Sequence, residues 1–202
     1  MFFENKTMEK KMEKEKNKAV FLEGKKVNLR PVKEEDAEKF IQWVNDQEVT
    51  QYLIMFMPIT LMQEKEWVKN VSCKDNELFL VIETKDGEAI GTTGFHQINW
   101  KDRNASHGIM IGNKKYWGGG FGTEAGMLLF NYAFQELGLN KINSNLIGYN
   151  KRSLRYHLGC GFKIVGRMRK QVFRKGSFHD QIFVDLFPKD FKKVWKKYIS
   201  SK

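Results

Sequence analysis

The residues with the clearest chemical potential lie in one glycine-rich stretch, Tyr116–Ala125, with the sequence YWGGGFGTEA. Four of the five residues from Gly118 to Gly122 are glycine, and they separate an apolar strand-like run from a long amphipathic helical pattern. Glycine permits positive φ and lets a ligand approach the main chain closely. The following helix offers unpaired first-turn N–H groups and the positive end of its dipole. The stretch therefore predicts an anion site suited to a phosphate.

Two familiar phosphate motifs do not fit this stretch. A P-loop ends in Gly-Lys-Ser/Thr, which the sequence lacks here. Gly120, Gly122 and Ala125 match a dinucleotide fingerprint, which calls for an acidic residue about twenty positions later, at the end of the next strand. That strand ends in Asn145–Asn150 (NLIGYN) without an acid. The glycines could also form only a tight turn, although four of them exceed what a turn needs.

Together with its flanks, the stretch resembles the GNAT acetyltransferase superfamily, and within it the ribosomal-protein N-terminal and spermidine or diamine acetyltransferases. The resemblance covers about residues 25–187. Its motifs follow one another in the expected order, namely Gly108–Gly112 (GIMIG), the glycine loop, Asn150 and Ser153 of an Asn-Lys-Arg-Ser segment, Gly161-Phe162, and a closing segment Gly166–Asp180.

The resemblance implies acetyl-CoA as cosubstrate and no metal. The loop from Trp117 to Thr123 would hold the pyrophosphate, and exposed main chain before it would pair with the pantetheine arm as an added strand does. Asn150 could also be only a helix cap, and Ser153 only helix surface. The implied cofactor-binding residues are Ile109, Met110, Ile111, Trp117, Gly118, Gly119, Gly120, Phe121, Gly122, Thr123, Asn150 and Ser153.

The catalytic acid is less clear from the sequence. Relatives often carry a tyrosine five residues before the Phe of the Gly-Phe pair, where it protonates the CoA sulfur. Here that position is His157, and Tyr156 precedes it. Adjacent helical residues point about 100° apart, so we expect only one of them to face the sulfur. The reference pKa of histidine lies below that of a thiol, which favours proton donation. A packing role for His157 remains open.

The general base is also open. Close relatives frequently have a glutamate at the position of Ser106, which cannot act as a base unaided. His107 follows it but points to the other face of the strand, and His96 and Glu83 are more distant candidates. A water chain or an amine that arrives neutral needs no dedicated residue. We therefore expect the chemistry to depend mainly on positioning and a polarised carbonyl.

The sequence predicts an N-acetyltransferase in which an amine attacks acetyl-CoA directly in a ternary complex. In the family, Gln51–Met62 borders the acceptor, and here it contains no acidic residue. This favours a protein N-terminal amine, followed by a polyamine or an amino sugar. Met55–Met57 could form an apolar acceptor wall or simply core. The alternative function is a non-catalytic CoA-binding regulatory module, which the missing glutamate and the tyrosine-to-histidine change motivate.

Charge and composition limit the other functions and the cellular location that the sequence allows. Of the net charge of +11, residues 1–18 supply +2 and residues 188–202 supply +5, which leaves +4 for residues 19–187. Nucleic-acid binding through these basic ends is a third hypothesis that we do not favour. The sequence shows no signal peptide or membrane span. Cys73 and Cys160 lack metal-ligand spacing, which favours a cytoplasmic location. The oligomeric state stays open, with a homodimer as one option.

The elements that would position these residues form one mixed α/β domain, a GNAT fold with a mostly antiparallel sheet. We expect six or seven strands, about four helices and a splayed central strand pair. A charged N-terminal extension of residues 1–19 precedes the domain at 20–187, and a basic helix or tail follows at 188–202. The predicted strands are Val27–Pro31, Leu78–Thr84, Ala89–Trp100, Ser106–Gly112, Lys141–Ile147, Phe162–Phe173 and Ser177–Phe187. The predicted helices are Lys33–Asn45, Thr60–Val71, Thr123–Leu137 with Gly138 as its C-cap, and Lys151–Leu158.

Overall fold

Apolar and alternating segments of the chain build a single sheet in a computed structural model that describes residues 20–71 and 73–200. The strands are Leu22–Glu23 (β1), Val27–Pro31 (β2), Leu78–Thr84 (β3), Ala89–Asn99 (β4), Asn104–Ile111 (β5), Lys141–Ile147 (β6), Lys163–Arg174 (β7) and Ser177–Leu186 (β8). Their order in the sheet is β1-β2-β3-β4-β5-β6-β8-β7. The predicted fold class is confirmed, and the extra strand β1 has two residues, too few for a periodic signal.

The helices lie on both faces of this sheet. They are Ala37–Val44 (α1), Gln47–Thr50 (α2), Leu61–Val71 (α3), Phe121–Gln135 (α4), Lys151–Gly159 (α5) and Pro188–Ser200 (α6). The apolar stripe of α4, including Leu129 and Phe130, packs on one face in the main core, which α5 and α6 also join. On the other face, Phe40 of α1 and Val68 of α3 form a smaller core. The sheet therefore separates two helical layers.

The sheet opens between its two central strands. Neighbouring strands run antiparallel except β5 and β6, which are parallel and pair only from Asn104–Lys141 to Ser106–Asn143. Beyond that point β5 continues to Ile111 and β6 to Ile147 with no mutual pairing. The splayed central pair is present as predicted. It leaves a slot, and the glycine loop lies at the end of β5.

The structure describes the C-terminal helix of the chain but not the predicted N-terminal extension. The predicted N-terminal extension, residues 1–19, lies outside the described residues. Helix α6 packs on α4 and buries Phe191 in the main core, so this segment contributes to the domain. The boundaries at residues 19 and 187 stay predictions. Within residues 20–71 and 73–200, no helix has both the length and the apolarity needed to cross a membrane.

Candidate functional site

The pairing of β5 with β4 determines which main-chain groups of β5 face the slot. The N–H of Gly112 donates to the carbonyl of Ile90 at 2.9 Å, and the register continues without a shift from Ile111 to Ser106. Antiparallel ladders alternate, so Met110 directs its main-chain groups towards β4, whereas Ile109 and Ile111 direct theirs into the slot. The expectation that Met110 offers its main chain to a ligand is therefore corrected. Main-chain contact of a ligand with Ile109 and Ile111 stays a prediction.

Side chains contact the slot-facing carbonyls at both ends of this run. Where β5 and β6 part, the Ser144 hydroxyl donates to the carbonyl of His107 at 3.0 Å. At the other end, the indole Nε1–H of Trp117 donates to the carbonyl of Ile111 at 2.7 Å. These two contacts mark the closed and open ends of the slot, and Ile109 lies between them.

The glycine loop leaves its main chain open. Gly118 and Gly120 both have φ of +81°, a conformation that glycine adopts without strain. A Cβ at Gly122 would make only ordinary contacts with Ile109 and Ile111, so neither φ nor packing calls for glycine there. The N-cap of α4 is Gly120, which has no side chain to cap the first N–H groups of the helix, and uncapped groups of this kind can bind an anion. A tight turn explains only part of this glycine content, and a close ligand approach at the remaining glycines stays a prediction.

The loop also carries a cation that our sequence analysis did not identify. The ammonium of Lys26, from the turn between β1 and β2, donates to the carbonyl of Gly119 at 2.9 Å. The same nitrogen lies 3.6 Å from a Cβ built on Gly120 and 5.8 Å from the centroid of the Phe121 ring. Thr123 is exposed in the first turn of α4. A positive charge thus stands directly beside the predicted phosphate cradle.

Glu124 holds that turn against α4. Its carboxylate accepts hydrogen bonds from the main-chain N–H groups of Lys25, Lys26 and Val27 at 2.8, 2.6 and 3.2 Å, and from the hydroxyl of Tyr198 at 2.6 Å. Burial alone raises the pKa of the Glu124 carboxyl, but these hydrogen bonds outweigh it and leave the pKa below its usual value. The charged carboxylate therefore positions Lys26.

On the opposite wall of the slot, Asn150 begins α5. Its side-chain oxygen accepts from the N–H of Ser153 at 3.0 Å, so the capping role considered from the sequence is present. This cap uses only the side-chain oxygen of Asn150, and the side-chain nitrogen takes no part in it. The Ser153 hydroxyl points inward to within 3.3 Å of His157 Nδ1. A ligand role for Asn150 can coexist with its cap.

His157 is buried at the closed end of the slot, with 2% of its surface exposed. Its Nδ1 donates to the carbonyl of Ser153 at 2.8 Å, and its Nε2 lies 2.9 Å from the hydroxyl of Ser144. Burial lowers the pKa of His157 to about 4, so the ring is neutral near pH 7. Because Nδ1 holds the proton of this neutral ring, Nε2 can only accept, and the single Ser144 hydroxyl proton can point either to Nε2 or to the carbonyl of His107. A ring whose N–H is committed to Ser153 does not favour the expected role as proton donor, which stays a prediction.

Tyr156 also lies in a buried network. His107 Nδ1 donates to the carbonyl of Gly94 at 3.1 Å, which leaves Nε2 to accept from the Tyr156 hydroxyl at 2.9 Å. Burial lowers the pKa of His107 to about 3 and raises that of Tyr156 well above its usual value. The Tyr156 oxygen would be only 2.2 Å from a Cβ on Gly126 of α4. Its catalytic assignment likewise stays a prediction that this packing does not favour.

The candidate bases fall in different places. Ser106 and His96 are direct partners across β5 and β4, so they share the face that carries α1 and α3. Burial lowers the pKa of His96, which keeps it neutral. Glu83 is bound to Arg30 at 2.6 Å in a buried ion pair, and His107 bonds to Tyr156 on the other face. Of these four residues, Ser106, His96 and Glu83 lie on the face of α1 and α3, but Glu83 is engaged by Arg30.

Cationic side chains surround the open end of the slot. The guanidinium of Arg152 lies 3.8 Å from the Trp117 ring centroid and 5.2 Å from that of Tyr52. It thereby joins α5, the glycine loop and the segment after α2. Arg174 donates to the carbonyls of Leu53 and Ile54 in that same segment. The rim of the slot is therefore basic.

Known proteins share this arrangement of sequence and fold. The chain matches the acetyltransferase (GNAT) domain family over residues 26–163. It is 28% identical to an uncharacterized N-acetyltransferase p20 of Bacillus licheniformis over 170 residues, 82% of this chain and 95% of the relative. It is 26% identical to the spermidine N(1)-acetyltransferase of Escherichia coli K12 over 161 residues, 80% and 86% of the two chains. Among solved structures, the spermidine N-acetyltransferase of Vibrio cholerae in complex with CoA and spermine superimposes with a TM-score of 0.76 at 21% identity, covering 83% and 98%.

Proposed function

The chain belongs to the acetyltransferase (GNAT) domain family and is an acetyl-CoA-dependent N-acetyltransferase, and we propose that its acceptor is a protein N-terminal amine. The observation that carries this proposal is the charge along Gln51–Met62, the segment that borders the acceptor in the family. Arg152, Arg174 and Lys175 all contact the acceptor-bordering segment Gln51–Met62, which contains no carboxylate. A polyamine carries several positive charges and would be repelled there, whereas a polypeptide brings a single amine. The spermidine acetyltransferase relatives make a polyamine the second candidate.

The proposed cosubstrate site uses groups on both walls of the slot. The N–H groups at the start of α4, together with Lys26, would hold the pyrophosphate. The slot-facing main chain of Ile109 and Ile111 and the amide of Asn150 would hold the pantetheine arm. An open main chain at Gly122, where neither packing nor φ calls for glycine, fits such a close approach. These assignments are our proposal for this chain.

The chemistry of the proposed reaction depends on positioning. Acetyl-CoA would supply a thioester, and the neutral amine would attack its carbonyl carbon. The C–N bond forms as the C–S bond breaks, CoA leaves as the thiolate, and the proton lost by the nitrogen ends on the CoA sulfur. The main chain of β5 fixes the direction of the arm, and the buried Ser144 and His157 close the far end of the slot against water. Ser106 has no acid–base capacity of its own, so alignment of the two reactants provides the main rate enhancement.

An amine panel tests the acceptor. We expect thiol release from acetyl-CoA with peptides that have a free N-terminus, with kcat/KM at least about tenfold above that for spermidine. The same peptides with a blocked N-terminus are the matched control and should give no release. A preference for spermidine would assign a polyamine acceptor instead. Saturable CoA binding without turnover on any amine would point to a non-catalytic CoA-binding module.

Lys26→Gln tests the cation at the glycine loop. We expect CoA to bind about tenfold more weakly. This is the lower end of the effect expected when a hydrogen bond to a charged group is lost, because Lys26 is exposed to solvent. Calorimetry with CoA and with 3′-dephospho-CoA shows which phosphate group Lys26 contacts. If the variant loses the same affinity for both ligands, Lys26 contacts the pyrophosphate, which both ligands contain. Lys39→Gln, on the exposed side of α1, is the control with the same charge change. Unchanged CoA affinity in Lys26→Gln would remove Lys26 from the site.

A further inference from the structure

The hairpin of β7 and β8 carries a large exposed surface that the proposed reaction does not use. Strand β7 is the edge of the sheet and is exposed along nearly its whole length. Phe173 and Phe178 face each other near the tip, with ring centroids 5.0 Å apart, yet they remain 54% and 62% exposed. Exposed apolar clusters of this kind mark interaction sites.

The segment after α2 extends this surface. Arg174 Nη2 at the hairpin tip donates to the carbonyls of Leu53 and Ile54 at 3.1 and 2.7 Å, and its guanidinium lies 5.9 Å from the Phe56 ring centroid. Ile54 and Phe56 are 71% and 78% exposed. We name the joined surface the apolar rim, and its members are Ile54, Phe56, Met57, Phe173 and Phe178.

The apolar rim is continuous with the start of α5, which forms one wall of the slot. Tyr149, which directly precedes Asn150, donates its hydroxyl to the carbonyl of Gln51. Its ring lies 4.7 Å from that of His179 on β8 and 6.1 Å from that of Tyr52. A chain that leaves the slot beside Tyr149 would therefore reach the apolar rim.

Basic residues frame the apolar rim. The hairpin carries Arg167, Arg169, Lys170, Arg174 and Lys175 between residues 167 and 175, a segment that contains no acidic residue. The facing carboxylate is Asp180, which contacts Arg167 at 3.3 Å and accepts from the N–H of Lys170 at 3.0 Å. One carboxylate does not balance five cations, so the surface has a strong positive potential.

We propose that this surface docks an acidic polypeptide segment that contains apolar side chains and follows the acceptor N-terminus. The inference rests on the proposed protein acceptor and specifies its chemistry. Carboxylates of the acceptor would meet the hairpin cations, and its apolar side chains would cover the apolar rim. The positive field also raises the rate at which such a chain arrives.

Two other occupants fit the surface less well. A second copy that paired along β7 would bring Arg167, Arg169 and Lys170 of both strands together, and like charges across strands are unfavourable. A single-stranded nucleic acid would match the charge, and its bases could stack on the three phenylalanines, but the exposed Ile54 and Met57 offer no ring for a base. A polypeptide with apolar side chains uses all of these contacts.

Three peptides with one N-terminal sequence test the proposal, namely a tripeptide, the tripeptide extended by a neutral segment, and the tripeptide extended by an acidic segment with leucine or phenylalanine. We expect the acidic extension to lower KM about tenfold at low salt, with the advantage falling as salt rises. In the double variant Arg169→Glu with Lys170→Glu the advantage should disappear, while turnover of the tripeptide is unchanged. Lys192→Glu with Lys193→Glu, exposed on α6, is the matched control.

The measured KM values and binding data distinguish the docking surface from the proposed acceptor and from the other two occupants. Equal KM values for the acidic and neutral extensions overturn the docking surface, while acetylation of the tripeptide still supports the protein acceptor. If spermidine is acetylated and none of the three peptides is, the proposed protein acceptor itself is overturned. Tight, salt-sensitive binding of an RNA oligonucleotide that the hairpin variant loses would assign the surface to nucleic acid. A dimer in sedimentation that the hairpin variant dissociates would assign it to a second copy.

Discussion

The variant Gly120→Glu should lose measurable CoA affinity, a decrease of at least about a hundredfold, because it places an anion where we propose the pyrophosphate lies. Gly120 has φ of +81° and is the N-cap of α4, so a side chain there stands at the start of the helix. The Lys26 ammonium lies 3.6 Å from the position of the new Cβ. The glutamate would therefore pair with Lys26 and with the helix N–H groups, in competition with the phosphate.

Backbone strain at this position calls for a matched control. Gly120→Asn imposes a similar left-handed strain without charge, and asparagine tolerates this conformation better than most residues. We expect the asparagine variant to retain CoA affinity within a fewfold of the original protein. Calorimetric titration with CoA, together with thermal unfolding of both variants, separates lost binding from lost folding. CoA binding by a folded Gly120→Glu at the original affinity would show that the phosphate lies elsewhere.

The glycine loop could be found from the sequence because its signal is local. Its positive φ values and the uncapped helix follow from a few adjacent residues. Strands β2, β3 and β6 also coincide with the predicted Val27–Pro31, Leu78–Thr84 and Lys141–Ile147. Each is a short apolar or alternating run between turn or polar residues, and such runs specify a strand without tertiary information.

The cation at the loop could not be found in this way. Lys26 and Glu124 are 98 residues apart in the chain, and only the pairing of β1 and β2 beside α4 brings them together. In the sequence, Glu124 is an ordinary acid in a first helical turn, where the helix dipole already accounts for it. Its function as an acceptor for three main-chain N–H groups becomes visible only in three dimensions.

The second feature that the sequence could not predict was the direction in which main-chain groups and side chains point along a strand or helix. Alternation predicts that Met110 differs from Ile109 and Ile111, but the register with β4 decides which of them faces the slot. The helical spacing of Tyr156 and His157 similarly showed that they point apart without showing where. In the structure His157 turns to Ser144 and Tyr156 to His107, so each is engaged by a partner from a neighbouring strand.

Glu124→Gln should have the second large effect, lowering the free energy of unfolding at pH 7 by about 2–4 kcal/mol. The amide keeps the shape of the side chain and one acceptor oxygen but loses the charge, and its NH₂ group cannot accept at the position of the second oxygen. One oxygen of Glu124 accepts from Lys25 and Tyr198 and the other from Lys26 and Val27, so one of these two pairs of donors loses its acceptor. Because the same turn carries Lys26, CoA affinity should fall as well. The variant therefore links the stability of the fold to the phosphate cradle.

The pH dependence distinguishes this mechanism from a packing defect. The pKa of Glu124 is lower in the folded chain than in the unfolded one, so its stabilisation is present above the unfolded pKa and is lost as pH falls through the folded pKa. Denaturant unfolding from pH 7 downwards should show the two proteins converging below about pH 4. Tyr198→Phe, which removes one donor and leaves the three main-chain bonds, should cost less than half as much. A constant difference between Glu124→Gln and the original protein at all pH values would contradict a stabilising carboxylate.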